Sequence, residues 1–132
     1  RDGYGIKALQ KMGVQVAVIT GRNSNMVERR MTALGVQHIY QGCEDKQPTL
    51  RALQKKLSIT MSETAAIGDD MPDIGMFHVS HCNICVQDGH PILAEQAHYR
   101  TRTKGGFGAV RELCDLILLA HGQLDTIHGA SI

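Results

Sequence analysis

Apolar residues recur along this chain in two different periods, one helical and one extended. In residues 4–12, Ile6, Leu9 and Met12 lie close to helical spacing, and Gly13 follows as a stop signal. The next segment, 14–19, is largely apolar and rich in valine, which is typical of a buried strand. The chain therefore begins with a helix that leads into a strand.

The same alternation continues to the last helix, with no repeat or long linker between the blocks. The predicted helices are 4–12, 24–34, 47–57, one opened by 71–73, 91–97 and 109–120. The predicted strands are 14–19, 36–40, 64–67, 83–86 and 99–101. Strands separated by helices predict an α/β fold, a three-layer sandwich with a mostly parallel sheet, whose ligands bind at the carboxyl ends of the strands. We expect one core domain, 1–121, and a polar tail, 122–132.

Composition narrows the classes of partner. Among the 132 residues, 14 Lys and Arg stand against 13 Asp and Glu, a formal charge of +1 without a basic cluster. This balance argues against a nucleic-acid or acidic membrane partner. The longest apolar run, 116–120, is far below the about 20 residues that span a bilayer. The four cysteines are too few for a disulfide framework, so we expect reduced thiols in a cytoplasmic protein.

Thr20, Gly21 and Arg22 follow the first predicted strand directly. They offer a hydroxyl, an accessible backbone N–H and a guanidinium that can fork onto an oxyanion. Thr followed by Gly at a strand end is also a common turn, and this segment alone leaves that interpretation open.

Lys46 lies at the start of the third predicted helix. A lysine in a first turn opposes the helix dipole, so this placement favours a compensating anion nearby. The alternative is an ordinary solvated surface lysine.

Three carboxylates, Asp69, Asp70 and Asp73, follow the third predicted strand after Gly68. Carboxylates this close repel one another, and Mg²⁺ relieves the repulsion by taking oxygen ligands. The alternative is helix capping, with Asp70 as the N-cap and Asp73 at the third helical position, but capping leaves Asp69 unexplained. Acidic, Lys and Thr-Gly-Arg groups at three strand ends together predict a site for a phosphate ester.

A second constellation, His78, His81, Cys82 and Cys85, has the ligand types of a zinc site. Cys82 and Cys85 are predicted on opposite faces of one strand, however, which separates the two thiols. We therefore expect buried or half-buried thiols here and not zinc.

The order and spacing of segment 18–22, Lys46 and segment 67–73 resemble the second, third and fourth motifs of the haloacid dehalogenase superfamily of phosphohydrolases. The likeness to the capless subgroup of that superfamily spans essentially the whole chain. It also rests on segments 1–6, 33–36, 40–42, 88–91, 105–112 and 129–132.

The resemblance implies a role for each matching residue. Thr20, with Gly21, Arg22 and Lys46, would bind the substrate, a sugar-acid phosphate. Thr20 would hydrogen-bond the transferring phosphoryl oxygens and Lys46 would neutralise them, while Arg22 would contact substrate or a neighbouring subunit. Asp69 and Asp70 would form the Mg²⁺ site, and Asp73, counted with Thr20 and Lys46 as catalytic, would lie beside the metal or orient Lys46. The resemblance also implies a homotetramer whose C-terminal tail reaches an adjacent active site.

The family's first motif, an Asp-x-Asp that supplies the nucleophile and the general acid, occurs nowhere in these residues. In the family, that strand and a hairpin precede the segment matching 1–6, so we expect the native polypeptide to be longer. The alternatives are a phosphatase for a nine-carbon sialic-acid-type phosphate, the phosphatase-like domain of an acylneuraminate cytidylyltransferase, and a non-catalytic scaffold that keeps the phosphate- and metal-binding surface.

Overall fold

A computed structural model of the chain describes residues 2–105 and 107–120. The predicted tail, 122–132, and its contact with a neighbouring subunit lie outside the described residues. The helices are α1 Asp2–Lys11, α2 Asn25–Ala33, α3 Lys46–Leu57, α4 Ile74–Phe77, α5 Pro91–Gln96 and α6 Phe107–Ala120. The strands are β1 Ala17–Ile19, β2 His38–Tyr40, β3 Ala65–Gly68, β4 Cys82–Cys85 and β5 Tyr99–Arg100. Two short 3-10 helices, Met61–Glu63 and Met71–Asp73, flank β3.

All the described strand pairs are parallel, which confirms the predicted α/β class. β1 pairs with β2, with Val18 opposite Ile39. β4 lies between β3 and β5, so Ile84 is opposite both Ile67 and Tyr99. Within the described residues the sheet is in two parts, a two-stranded half and a three-stranded half, because β1 and β3 do not pair with each other.

Helices cover both faces of the strands. Neighbouring residues of β1 show this directly, because Val18 packs into one apolar cluster and Ile19 into another, and successive strand residues point to opposite faces. The Val18 cluster contains Ile6 and Leu9 of α1 together with Leu118 of α6. The Ile19 cluster combines residues of α3, α4 and α5 with residues of β3, β4 and the loop before β4. Its buried members are Leu50, Ala66, Met76, Phe77, Val79, Cys85 and Leu93. This arrangement is the predicted three-layer sandwich.

α1 and α6 pack closely. A Cβ built on Gly5 would lie 2.6 Å from the Cβ of Cys114, a separation that only a glycine permits. Among the described helices, none combines the length and the apolar character needed to cross a membrane.

The predicted element order agrees with the structure, and the bounds differ. β1 begins at Ala17 and β2 at His38, later than the predicted 14 and 36, because only these residues have partners in the ladder. The segment 71–73 forms a 3-10 helix before α4 instead of the first turn of one longer helix. Ser24 caps α2, accepting a hydrogen bond from the Val27 N–H at 3.3 Å.

Candidate active site

The loop after β3 is organised by its own carboxylates. Asp70 is the N-cap of the 3-10 helix, and its Oδ1 accepts the Met71 N–H at 2.7 Å. Oδ2 of Asp73 accepts the backbone N–H groups of Asp69 and Asp70, at 2.9 and 3.2 Å. The capping roles considered for Asp70 and Asp73 are therefore present, and the carboxylate of Asp69 takes no part in them.

Lys46, the first residue of α3, donates from Nζ to Oδ1 of Asp73 at 2.5 Å. The two side chains are only 12% and 5% exposed, so Lys46 is not a solvated surface lysine. Asp73 is the anion that a cation at a helix N-terminus requires. One carboxylate thus fixes the loop after β3 with one oxygen and orients the lysine with the other.

Gly68 makes room for this arrangement. A Cβ built at Gly68 would lie 2.5 Å from the Cβ of Asp73 and 2.7 Å from its carboxyl carbon. Any side chain there would push Asp73 away from the backbone N–H groups that it accepts. The last residue of β3 is therefore glycine for a packing reason.

Asp69 is exposed at the surface of the loop, with an unfavourable environment for its charge. Partial desolvation, followed by the carboxylates of Asp73 and Asp70, raises the pKa of Asp69, and Lys46 opposes the shift. A cation close to Asp69 would relieve the same repulsion.

The described residues contain no cluster of three or more His, Cys, Asp or Glu side chains arranged around a metal position. Mg²⁺ does not require one, since it is commonly bound by one or two carboxylates together with water and substrate phosphate. Asp69 and Asp70 offer two hard oxygen donors in a region of net negative charge. These residues fit a magnesium ion that shares its remaining positions with other ligands.

The loop after β1 is held by main-chain hydrogen bonds to the loop after β2. Thr20 donates its N–H to the Tyr40 carbonyl at 3.0 Å and accepts the Cys43 N–H at 2.9 Å. Arg22 accepts the Gly42 N–H at 3.0 Å, and its side chain is exposed. Oγ1 of Thr20 accepts the Arg22 N–H at 3.2 Å, which leaves the hydroxyl proton able to donate elsewhere.

The predicted residues thus form two groups on one edge of the sheet. Lys46, Asp69, Asp70 and Asp73 are joined by hydrogen bonds. Thr20, Gly21 and Arg22 form the second group, which the segment 43–46 links to the first, since Cys43 bonds to Thr20 and Lys46 to Asp73. The two groups also share a core, because Ile19 and Ile74 pack against the same apolar cluster.

The alternative zinc site is not formed. Cys82 is exposed and Cys85 fully buried at opposite ends of β4, and both are free thiols. Burial raises the pKa of Cys85, which further disfavours the thiolate that zinc would need.

Two further loops are held by hydrogen bonds for which the sequence analysis assigned no role, and the first of them contacts the loop after β3. In the first, the His90 N–H donates to the Asp69 carbonyl at 2.9 Å, and Asp88 accepts the Gly105 N–H at 2.7 Å. In the second, the Glu112 carboxylate accepts N–H groups of Arg102 and Thr103 at 3.0 Å. The Asp-Gly pair at 88 and 89 is a turn signal that could have indicated the first contact. No local pattern points to Glu112.

A family profile described as haloacid dehalogenase-like hydrolase matches residues 36–112. Over all 132 residues the chain is 46% identical to the 3-deoxy-D-manno-octulosonate 8-phosphate phosphatase of Yersinia pestis and 45% identical to that of Escherichia coli K12, covering 71% and 70% of those proteins. The structure superposes with a TM-score of 0.90 and 44% identity on the phosphatase of the same name from Moraxella catarrhalis, solved with magnesium, phosphate and the sugar acid. That match covers 97% of this chain and 74% of the other.

Proposed function

The chain belongs to the haloacid dehalogenase-like hydrolases, and from that membership we propose that it carries the phosphate- and metal-binding parts of a 3-deoxy-D-manno-octulosonate 8-phosphate phosphatase. The reaction is the Mg²⁺-dependent hydrolysis of this sugar-acid phosphate to the free acid and phosphate, a step of lipopolysaccharide biosynthesis. Similarity over the full chain to phosphatases with this substrate favours the eight-carbon compound over a nine-carbon one.

The observation that carries the proposal is the buried pair of Lys46 and Asp73 beside Asp69. Asp73 holds the lysine ammonium in one direction, and the remaining N–H donors of Lys46 are available to phosphoryl oxygens. A fixed cation stabilises negative charge that develops on a transferring phosphoryl group better than a mobile one, because it needs no reorganisation. An ion pair with a purely structural role would not need a further carboxylate beside it. The Asp69 carboxylate nevertheless lies beside this pair and takes no part in capping the 3-10 helix.

The substrate-binding roles follow from the second group of residues. Thr20 donates its hydroxyl proton to a phosphoryl oxygen while the Arg22 N–H fixes that hydroxyl from behind. Gly21 offers a backbone N–H, and a Cβ there would meet nothing closer than 3.7 Å, so the loop is open on that side. The exposed guanidinium of Arg22 is suited to the carboxylate of the sugar acid.

Asp69 and Asp70 would hold Mg²⁺, which supplies charge neutralisation at the phosphoryl oxygens when it is bound. The raised pKa of Asp69 supports this assignment, since a carboxylate left among other carboxylates costs free energy until a cation arrives. Asp70 remains within the loop through its bond to Met71, so metal binding would require little rearrangement of the backbone.

The attacking group is an aspartate that these 132 residues do not supply in an Asp-x-Asp motif. We propose that it lies on a further strand that pairs with both β1 and β3, which do not pair with each other in the described residues. Its carboxylate attacks phosphorus, the bond from phosphorus to the sugar oxygen breaks, and a general acid protonates that oxygen. Water then hydrolyses the aspartyl-phosphate and releases phosphate.

The test uses the complete enzyme, meaning this chain together with the strand that supplies the attacking aspartate. We expect it to release phosphate from the eight-carbon substrate in the presence of Mg²⁺ and to stop when the metal is chelated. Asp69→Asn is expected to lower kcat/KM by about 100-fold or more, because it removes a metal ligand. Phosphate release is followed by a colorimetric assay over a range of Mg²⁺ concentrations.

Glu63→Gln is the matched control, since it also removes one carboxylate charge. Glu63 lies before β3, at the opposite end of that strand from Asp69, and glutamine keeps the capping hydrogen bond to Thr60. Its kcat/KM is expected to stay within a factor of two of wild type. Full activity of Asp69→Asn would contradict the metal assignment, faster turnover of a nine-carbon phosphate would contradict the substrate, and the absence of any turnover would favour the scaffold alternative.

A further inference from the structure

Gln41, which follows β2 directly, reaches across to the residue that begins α2. Its Oε1 accepts the Ser24 N–H at 2.7 Å, and its Nε2 donates to the Ser24 carbonyl at 3.2 Å. The side-chain amide therefore satisfies both main-chain groups of one residue, as a neighbouring strand would do. Ser24 is 17 positions away in sequence, so this contact joins two separate loops.

This contact completes a series that runs along the loop after β1. The Cys43 N–H donates to the Thr20 carbonyl, the Gly42 N–H donates to the Arg22 carbonyl, and Gln41 binds both backbone groups of Ser24. Every second residue of 20–24 is thus held by a successive residue of 41–43. Gln41 is the only member of the series that acts through its side chain, and it secures the end farthest from β1.

The same loop that holds Thr20 and Arg22 continues into Lys46 three residues after Cys43. Any change in the path of 20–24 relative to 41–43 would therefore alter the separation between the two phosphate-binding groups. Main-chain bonds fix the Thr20 end. The Arg22 end depends on one main-chain bond and on the Gln41 amide.

We propose that Gln41 is a positioning residue that sets the distance of Gly21 and Arg22 from Lys46 and so determines the affinity of the site for phosphate esters. This inference rests on the proposed function, because it takes these groups to be the phosphate-binding groups. Gln41 itself does not touch the substrate.

The competing explanation is that Gln41 only stabilises α2. Its Nε2 also lies 3.1 Å from Oε1 of Glu28 in the first turn of that helix, and Ser24 is the N-cap of the same helix. Ser24→Ala separates the two explanations, because it removes the hydroxyl that caps Val27 but keeps the backbone groups that Gln41 binds. Loss of such a cap typically weakens a helix measurably, so this variant reports what destabilising α2 does by itself.

The experiment compares Gln41→Met with Ser24→Ala in the complete enzyme. Methionine is close in size to glutamine but neither donates nor accepts the Ser24 bonds. The first measurement is inhibition by inorganic phosphate, with KM and kcat for the substrate beside it. We expect Gln41→Met to weaken phosphate inhibition and to raise KM by about 10-fold, with a smaller change in kcat, because the binding groups are intact but misplaced. Ser24→Ala is expected to change neither constant by more than about twofold.

Glu28→Gln is a second control, since glutamine keeps an acceptor for Gln41 and removes only the charge. Phosphate inhibition and KM of this variant are expected to match wild type.

The second measurement is amide hydrogen exchange, which does not depend on activity. Gln41→Met is expected to increase exchange at Ser24 and at Gly42, whose N–H donates to the Arg22 carbonyl, with Thr20 unchanged because its N–H bonds to Tyr40.

Equal effects of Gln41→Met and Ser24→Ala on KM would overturn the positioning role, as would wild-type phosphate inhibition in Gln41→Met. Wild-type protein that does not turn over the substrate would overturn the proposed function itself, whatever the exchange data show. The two failures are therefore distinguishable.

Discussion

The two halves of the sheet hold their site loops in different ways. In the three-stranded half carboxylates add to the main-chain hydrogen bonds of the loops, because Asp73, Asp88 and Glu112 each accept backbone N–H groups. In the two-stranded half the corresponding bonds come from the main chain and from the neutral amide of Gln41. The loop that would hold a metal is therefore organised by ionised groups, whereas the contacts between residues 20–24 and residues 41–43 use main-chain groups and a neutral amide.

This difference has consequences for acid sensitivity. The hydrogen bond from the Gly105 N–H lowers the pKa of Asp88 below its ordinary value. Burial alone would raise the pKa of Glu112, but the N–H groups of Arg102 and Thr103 and the Tyr99 hydroxyl outweigh it, and the net shift is downward. A lowered carboxyl pKa contributes stability that is present above the ordinary pKa and is lost as the pH falls through the folded-state pKa. Acid should therefore loosen the three-stranded half first.

The largest effect is expected from Asp73→Ala, which removes the central anchor of the carboxylate-held half. The variant leaves the Lys46 side chain, which is only 12% exposed, without its partner, and it frees the N–H groups of Asp69 and Asp70. Breaking a buried pair in this way costs about 3–5 kcal/mol. We expect a loss of that size in the free energy of unfolding by urea at pH 7, together with loss of Mg²⁺-dependent activity.

Gln41→Met is the matched change in the other half. It removes neutral hydrogen bonds at a half-buried position, for which about 1 kcal/mol is typical. If the two variants lost equal stability, the contrast between the halves would not hold.

The contacts within the candidate site also differ in how well the sequence predicts them. The capping bonds of Asp70 and Asp73 could be predicted because every partner lies within five residues, from Asp69 to Asp73. Lys46 and Asp73 are 27 positions apart, so no local pattern links them. The rule that parallel strand ends share one edge brings them together, and the family resemblance offered orientation of Lys46 as one of two roles for Asp73.

The sequence analysis placed Gln41 and Glu112 in matching segments but predicted no contact for either, and the reason is physical. A glutamine after a strand and a glutamate in an amphipathic helix are both ordinary surface residues, and their partners are set by the packing of separate loops. Gly68 is similar, since the steric demand comes from Asp73 folding back over it. The helix and strand order was predictable from periodicity, whereas strand lengths depended on which residues found a partner in the ladder.

A smaller, pH-dependent effect is expected from Glu112→Gln. Glutamine can accept at one oxygen only, so the variant weakens the contacts with Arg102, Thr103 and Tyr99. Hydrogen bonds to a charged group contribute about 1.5–3 kcal/mol when they are buried, but these bonds are exposed and screened by water, so we expect a destabilisation of less than about 1 kcal/mol at pH 7. Because the pKa of Glu112 is lowered from 4.5, the difference from wild type should be complete above pH 4.5 and should shrink as the pH falls further.

Urea unfolding at a series of pH values measures this effect, with Glu95→Gln as the control. Glu95 is an exposed glutamate on α5, so its substitution should change the free energy of unfolding by less than about 0.5 kcal/mol. A Glu112→Gln penalty that is the same at pH 3 and pH 7 would show that packing, and not ionisation, is responsible.

The smallest effect is expected at Asp88, whose fully exposed carboxylate accepts a single N–H, that of Gly105, at 2.7 Å. Because Asp88→Asn keeps a carbonyl oxygen as acceptor, it should preserve protection of the Gly105 amide from hydrogen exchange, whereas Asp88→Ala should abolish most of it. In wild type that protection should decline as the pH falls below 3.8, since the pKa of Asp88 is lowered from that value. The Gly42 amide, which donates to the Arg22 carbonyl in the two-stranded half, is the internal reference. The protection of the Gly42 amide involves no titrating acceptor. Parallel loss of protection at both amides would therefore mean that acid unfolds the chain as a whole. Loss at Gly105 alone would mean that only the carboxylate-held half depends on ionisation.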